Sequence, residues 1–523
     1  MTYIEMKSAI ALISITVLTM CDIGIVSSAR ILLIPMYFRQ HDVGYGKVAD
    51  AIATNGHDVT MLIPSCDKTP SNSNSYKIKA VPVSLTPTDV EKRVLDLLQS
   101  TINEGFSIHM YQNLSKFLAG ICDDIFSNLS DLTEFNRINA FDLSIVDSKN
   151  VCGLLYVEYF KLPFISYAFT TAEEKYWHAP QPLSYVPVTM SALTDKMTFM
   201  ERLKNTVIYL VSSFFEDLYI AHYIQLQNKY DIVPDTKIVD IKSKASLWLW
   251  ASDFAFEFPR PLMAHVIPIG SFTAEKVKPL PRELDDWIRG SGDHGIVVFS
   301  MGSQIRDLGR NLTVDIASAL SRLPQRIVWR HDGETPKTVG SNTKIVKKWI
   351  PQNDLLANPN TRLFVTHGGT SGVHEGLYHG VPMLCIPICS DQHDNAAKIK
   401  SKGIGNYIDY KIITPEILHQ MMTDIITDIR YKTKAQKLSD ITRDKPMTAE
   451  ESIVYWVNYV LKHGTDHLIS QVPNLSWYQY FLLDVAAFVV VVALVMFYVI
   501  KKMGLFLFGW CYEKSKKQKT KTA

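Results

Sequence analysis

The stretch "RLFVTHGGTSGVHEGLYHGVP", Arg362 to Pro382, sets three histidines and a glutamate among glycines. Three readings compete for it: a metal site, a phosphate cradle, or an ordinary strand-turn-helix passage. A zinc pair on one helix face needs histidines four residues apart. His374 and His379 are five apart, which at about 100° per residue turns the second imidazole roughly 140° from the first. No metal site is expected here. The other two readings share one local structure: "RLFVT" as a buried strand, "HGGTSG" as a turn, and "VHEGLYHG" as the start of a helix. Glycines let a backbone approach a ligand with no Cβ in the way, and the N–H groups of a helix start attract an anion. His367, at the carboxyl end of the strand, is placed to donate to a diphosphate oxygen.

Working outward, the same alternation recurs along the chain. Before the stretch come "GIVVFSMGS", a helix from about Leu312 to Leu323, "RIVWRHDG" and "TKIVKKWIP"; after it comes "GVPMLCIP". Near the N-terminus "ARILLIP", a helix ended by Asn55-Gly56, and "DVTMLIP" form a strand-helix-strand unit, and "FDLSIVD" and "LPFISYAF" continue it. From about Pro180 to Tyr230 the chain reads as helical and aromatic; "VIYLVSSFFEDLYIAHYI" suits a domain core better than a membrane surface. Four prolines, Pro259, Pro261, Pro268 and Pro279, and the turn-rich "LPRELDDWIRGSGDHG" mark a linker. The expected fold is α/β: two Rossmann-like domains facing a cleft, followed by one C-terminal transmembrane helix.

The flanks of the opening stretch give its glycines a ligand. "WIPQNDLL" lies just before it and "PICSDQHDNA" just after. Trp349 offers a flat face to a base, Gln352 an amide edge, and Glu375 a charged acceptor for two vicinal ribose hydroxyls. Asp391 and Gln392 are placed to hold sugar hydroxyls. In the order W-x-P-Q-x-D-L-L, T-H-G-G-x-x-G-x-x-E, G-x-P, D-Q-x-x-N-A, these residues resemble the signature of the UDP-glycosyltransferases, the membrane-bound family that includes glucuronosyltransferases. The resemblance is close over Trp349 to Gly403 and extends in outline over almost the whole chain.

It implies the GT-B architecture, with the acceptor held by the N-terminal domain and the nucleotide sugar mainly by the C-terminal one. On that basis Trp349 and Gln352 contact uridine and Glu375 the ribose. His367 and the backbone at Gly369, Ser371 and Gly372 hold the diphosphate, Gly302 and Ser303 approach it from a neighbouring strand end, and Arg330 is a further candidate. Asp391 and Gln392 contact the transferred sugar. The resemblance places catalysis on His41, in the loop after the first strand, with Asp147 as its partner; His57 is the competing histidine and reads as structural. Two departures stand out: Asn358 in "DLLANP" replaces an expected histidine, and the surroundings "FRQHDVGYG" of His41 are unusual.

The implied function is an inverting transfer of a hexose, glucuronate or glucose, from a UDP-sugar to the hydroxyl of a small lipophilic acceptor. The UDP-sugar is a co-substrate, and no cofactor is expected. A membrane-lipid glycosyltransferase acting on sterol or ceramide is the alternative enzyme, and a catalytically silent UDP-sugar-binding subunit is the alternative outside enzymes; the presence of both His41 and Asp147 speaks against the latter. The donor sugar, the acceptor and any homo- or hetero-oligomeric state are not legible in the sequence.

The ends of the chain speak to location. The first 29 residues resemble a secretory signal peptide, with Ser27 and Ala29 at the minus-three and minus-one positions of a cleavage site. "YFLLDVAAFVVVVALVMFYVI", 480–500, reads as a membrane span followed by Lys501, Lys502 and a basic tail, so the positive-inside rule puts 501–523 in the cytoplasm. Lys519 and Lys521 resemble a dilysine retrieval signal of the endoplasmic reticulum. The expected order is therefore signal peptide 1–29, acceptor domain 30–255, linker 256–290, donor domain 291–465, lumenal segment 466–479, span and tail. Four sequons, at Asn113, Asn128, Asn311 and Asn474, suit lumenal exposure. Leaving out Cys21 and Cys511, the remaining cysteines, Cys66, Cys122, Cys152, Cys385 and Cys389, are too sparse and odd in number for a disulfide framework. Across 523 residues the formal net charge is only +2, and no basic stripe points to nucleic acid.

Overall fold

Short apolar runs bounded by turns form strands buried on both faces, which is the environment a parallel sheet between helices provides. The computed structural model describes residues 28–37, 42–67, 75–105, 107–169, 172–274, 276–303, 305, 308–347 and 349–519. The first sheet comprises β1 (Arg30–Ile34), β2 (Asp58–Pro64), β3 (Lys77–Val81), β4 (Leu143–Asp147), β5 (Phe164–Ala168), β6 (Leu247–Trp250) and β7 (Val266–Pro268). Its order is β3-β2-β1-β4-β5-β6-β7, with every pair parallel. The second comprises β8 (Ile296–Ser300), β9 (Arg326–Arg330), β10 (Thr343–Val346), β11 (Thr361–Thr366), β12 (Met383–Cys385) and β13 (Gly405–Tyr407). It runs β10-β9-β8-β11-β12-β13, again all parallel.

Both orders are doubly wound. The chain builds outward from β1 or β8, then returns to the other side, leaving a switch point between β1 and β4 and another between β8 and β11. The loops leaving the carboxyl ends of those strand pairs diverge to opposite faces and open a crevice, where ligands of such sheets bind. Register aligns Ile34 with Val146 in the first sheet and Ser300 with Thr366 in the second.

The stretch expected to be a linker holds β7, the last strand of the first sheet, because Val266 and its neighbours pair with β6. Helix in the 180–230 region is confined to Phe199–Lys229, with irregular chain before it. Ile220, Tyr223 and Leu226 at its C-terminal end are buried, whereas Met200, Leu203, Val207, Leu210 and Phe214 are exposed, so only part of this helix serves the core. Of the sparse cysteines two are paired: Cys122, on the helix Ile108–Ser127, bridges to Cys152, on the helix Val151–Tyr159. The sequence shows no signal for this pairing, since thirty residues and a strand separate the two thiols.

The helix Ala449–His463, last of the first body, packs on the helix Asp42–Thr54 of the first sheet's lobe. His57 fastens this return. Its Nδ1 accepts from the Ala29 N–H at 3.2 Å, and its Nε2 lies 2.9 Å from Asn458 Oδ1.

A second body begins at His467. Its main element is the helix Leu483–Lys519, within which an 18-residue window of Leu483–Ser515 reaches a mean hydropathy of 2.8. Among the described residues it is the one helix long and apolar enough to cross a membrane. At 33 residues and about 1.5 Å per residue, it exceeds the roughly 30 Å of a bilayer's hydrocarbon. The helix thus begins three residues after the sequence-based start at 480 and continues past Lys501 and Lys502. The signal-peptide residues up to Ser27 lie outside the described residues.

Candidate active site

Thr366 ends β11 and Ser300 ends β8, so the turns that follow them rise side by side at the switch point. Gly302 has φ 76°, a left-handed conformation that glycine adopts without strain. A Cβ on Gly302 would stand 2.5 Å from the His367 ring, and one on Gly369 would stand 2.4 Å from it. The imidazole is therefore seated between two backbones that only glycine lets come so close. Arg330, at the end of β9, donates to the Gly302 carbonyl and pairs with Asp332 at 3.2 Å, so it buttresses the Gly302 turn from below. Ser303 is half-buried on the same turn.

The helix Thr370–Tyr378 starts directly after, with Gly369 as its N-cap and no side chain satisfying the first N–H groups. The donors of its first turn, at Thr370, Ser371 and Gly372, are those an α-helix leaves without intrahelical acceptors. They and the His367 ring make a neutral, donor-rich anion seat. Loss of solvent around His367 holds its pKa down to about 4, against a smaller opposing pull from Asp391, so at neutral pH the ring serves as a hydrogen-bond donor and carries no charge.

One turn along the helix, Glu375 accepts from the Gln352 amide at 2.6 Å. Gln352 opens the helix Gln352–Leu356, and Trp349 just before it is 70 % exposed, leaving an indole face open for stacking. Glu375 and Gln352 thus meet beyond one end of the anion seat, with the exposed Trp349 three residues before Gln352 in the chain. Beyond the other lies Asp391, whose Oδ2 accepts from the Thr370 hydroxyl at 2.6 Å and the Asn395 amide at 3.0 Å. Asn395 also donates to the Gly368 carbonyl, so the aspartate and the glycine turn are fixed to one another. Thr370 and Asn395 were absent from the sequence-based set, although Asn395 is the asparagine of "DQHDNA". Gln392 is only partly available for sugar: its Oε1 is taken by the N–H groups of Ile388 and Cys389, at 2.7 and 3.0 Å.

His374 and His379 have other partners. His374 is buried with its ring edge-on to Phe256, 6.0 Å between centroids. His379 lies 2.8 Å from Asn353. They do not converge with any carboxylate or thiol into a metal-binding group, and none occurs among the described residues.

In the first lobe Asp147 ends β4 and is 1 % exposed. Its Oδ1 accepts the Lys149 N–H at 2.7 Å. Tyr45 and Tyr167 pack edge to face beside it, 5.0 Å between centroids, and their hydroxyls are pushed well up by burial and by the Asp147 charge. Tyr45 lies in the helix Asp42–Thr54, which begins one residue after His41. His41 itself lies outside the described residues.

The two lobes meet around this crevice. The Thr273 hydroxyl donates to the Ser371 carbonyl at 3.2 Å, and Asp394 accepts the N–H groups of Met190 and Ala192 at 2.6 and 2.8 Å. Glycine backbones, helix-start N–H donors, a neutral histidine and flanking carboxylates thus occupy one switch point, and a buried carboxylate occupies the other.

Residues 29–518 match the family described as "UDP-glucoronosyl and UDP-glucosyl transferase". The chain belongs to this family of UDP-sugar glycosyltransferases. Human UDP-glucuronosyltransferase 2B15 is 36% identical over 511 residues, covering 94% of this chain and 96% of that protein. Mouse 2-hydroxyacylsphingosine 1-beta-galactosyltransferase is 33% identical over 500 residues, covering 93% and 90% respectively. Among solved structures, the glycotransferase of kitacinnamycin aligns with TM-score 0.57 and 16% identity, covering 83% of this chain and 98% of that one; it shares the GT-B fold. This member of the family is accordingly a glycosyltransferase that uses a UDP-sugar as co-substrate and an acceptor as its second substrate.

Of the sequons, Asn113 and Asn311 are exposed on helices, and Asn474 is exposed in the second body. Asn128 is not presented in the same way, because its amide donates to the Asp124 and Pro82 carbonyls at 2.8 and 3.1 Å.

Proposed function

We propose that the protein transfers a hexose from a UDP-sugar to the hydroxyl of a small lipophilic acceptor, with inversion at the anomeric carbon. The observation that carries this reading is the convergence of Gly302, His367 and Gly369 at the switch point, flanked by Gln352 with Glu375 on one side and Asp391 on the other. Trp349 stacks on uracil, Gln352 and Glu375 take its edge and the ribose, and the helix start with His367 takes the diphosphate. Asp391 and the amide of Gln392 contact the sugar.

An acceptor hydroxyl is a weak nucleophile at neutral pH. His41 removes its proton as attack proceeds, and Asp147 orients the ring and stabilises the imidazolium. Attack opposite the leaving UDP passes through an oxocarbenium-like transition state and converts an α-linked donor to a β-glycoside. The departing diphosphate is stabilised by N–H donors of the helix start and by neutral His367. A buried Asp147 suits its role, since a carboxylate in a dry site holds a neighbouring imidazolium more strongly than one in water.

The proposed setting is the lumenal face of the endoplasmic reticulum membrane. There the signal peptide is removed near Ala29, the acceptor and donor domains are lumenal, and the C-terminal helix anchors them with the basic tail in the cytoplasm. A membrane-lipid acceptor is the second reading, supported by the likeness to the mouse acylsphingosine galactosyltransferase.

The test is transfer by the full chain in detergent, scored as UDP release with a panel of phenols, sterols and ceramide. His41→Ala is expected to lower turnover by about 10³-fold or more, a general-base loss in a site that also orients its nucleophile, with UDP binding retained. Turnover unaffected by His41→Ala would overturn the assignment.

A further inference from the structure

Next to Asp391 the crevice between the lobes is lined by Glu257, Arg260, Asp394, Asn395 and Lys398. This is the sugar end of the site in the reading given above, on which the following rests. A uronate donor carries a carboxylate at that end, and a buried carboxylate needs a cation free to meet it. The described cations here are already matched. Lys398 contacts Glu257 Oε1 at 2.6 Å with its side chain 12 % exposed. Arg260 pairs with Glu174 and, at 3.4 Å, with Glu257, and its side chain is 7 % exposed. Lys402, on the same helix as Lys398, caps the Glu257 carbonyl at 3.1 Å.

The remaining lining carboxylates, Asp391 and Asp394, are held by hydrogen bonds from uncharged groups. Asp391 is held by a hydroxyl and an amide, and Asp394 by two backbone N–H groups. Asp394 feels the Lys398 charge and, more weakly and in the opposite direction, that of Asp391. Around this end four carboxylates, Glu174, Glu257, Asp391 and Asp394, therefore face three cations, Arg260, Lys398 and Lys402, each already engaged. A hexose hydroxyl donates happily to Asp391. A sugar carboxylate meets like charge and finds the cations at this end engaged.

We infer that the donor is a neutral UDP-hexose rather than a UDP-uronate, and that Glu257 sets this preference by occupying both Lys398 and Arg260. The choice is of interest because the named relatives include glucuronosyltransferases. Glu257 acts through its ion pairs and is a specificity-positioning residue.

Donor binding to the full chain in detergent is read by thermal shift with UDP, UDP-glucose, UDP-galactose and UDP-glucuronate, which needs no acceptor. A neutral donor is expected to bind at least about tenfold more tightly than UDP-glucuronate. Glu257→Gln keeps the shape and the contact with Ser252, and is expected to narrow that ratio by about fivefold or more, chiefly through tighter UDP-glucuronate binding. Equal or tighter binding of UDP-glucuronate by the unaltered chain overturns the neutral-donor inference while leaving the UDP-sugar reading intact. An unchanged ratio in a folded Glu257→Gln overturns the role of Glu257. If that variant does not fold, the ratio in the unaltered chain decides the donor class. Absence of any shift with UDP itself sinks the donor-site reading as well.

Discussion

At the scale of single residues, the site depends on two missing side chains as much as on those present. Gly302 and Gly369 both abut the His367 ring, but they differ in backbone conformation. Gly302 has a positive φ, so alanine there adds strain to collision. Gly369 has φ −65°, which any residue adopts, so Gly369→Ala tests the collision alone. The added methyl stands 2.4 Å from Nε2 and displaces the ring. Misplacing a donor by about 1 Å costs on the order of a hundredfold in rate, so kcat/KM for the UDP-sugar is expected to fall by about that factor. In a His367→Ala background the same substitution should cost little, because the group it displaces is gone. Equal losses in both backgrounds would show that Gly369 acts on the ligand directly, without His367.

At the scale of elements, the Cys122–Cys152 bridge ties two helices that flank β4, the strand ending in Asp147. It closes a loop of 30 residues, for which removal costs about 2–4 kcal/mol through the entropy returned to the unfolded chain. Cys152→Ser is expected to lower the urea midpoint accordingly, and dithiothreitol should shift the unaltered chain but not the variant. A reductant effect of equal size on both would place the sensitive thiols elsewhere. Elements buried on both faces were legible in the sequence: β1, β2, β4, β5, β8, β9 and β11 are continuous apolar runs, and parallel pairing makes them so. The missed strands are β3, β6, β7 and β13. β3 is an edge strand, "KIKAV", with exposed positions, and β7 and β13 are three residues long, too short to carry a period. β6, "LWLW", is fully buried and had the apolar signal, but the expected break before 256 obscured it. In the candidate site, the residues gathered around Gly302, His367 and Gly369 were legible because most share one local motif. The ion pair of Glu257 with Lys398 was not, since it joins residues 141 positions apart.

At the scale of the whole molecule, the junction of the two lobes holds charge and a neutral histidine together. Lys398 pairs with Glu257, Lys445 with Asp253 at 2.5 Å, and His374 is buried between them against Phe256. Burial pushes the His374 pKa well below its ordinary value, against the opposing pull of Asp253 and Glu257. The linkage follows from its sign. Below about pH 6.5, the unperturbed value, an unfolded chain binds a proton on this histidine, while the folded chain binds it only at much lower pH. The unfolded state thus holds more protons in that interval, and stability falls as pH is lowered through it, by up to about 1.4 kcal/mol per pH unit for this group. His367 and His379, each held down to about 4, add in the same direction, though both are only half-buried and contribute less. The acids paired at the junction act later: burial raises Glu257, its two cations outweigh that and hold it below the usual range, so its contribution is lost only at more acid pH. The thermal midpoint is therefore expected to fall between pH 6.5 and pH 4.5, before the carboxylates titrate. His374→Asn, which removes the titrating group at the lobe junction, should flatten that slope even if it lowers the midpoint overall. A midpoint that stays level across this interval in the unaltered chain would mean that the junction opens to solvent and lets the histidine charge within the folded state.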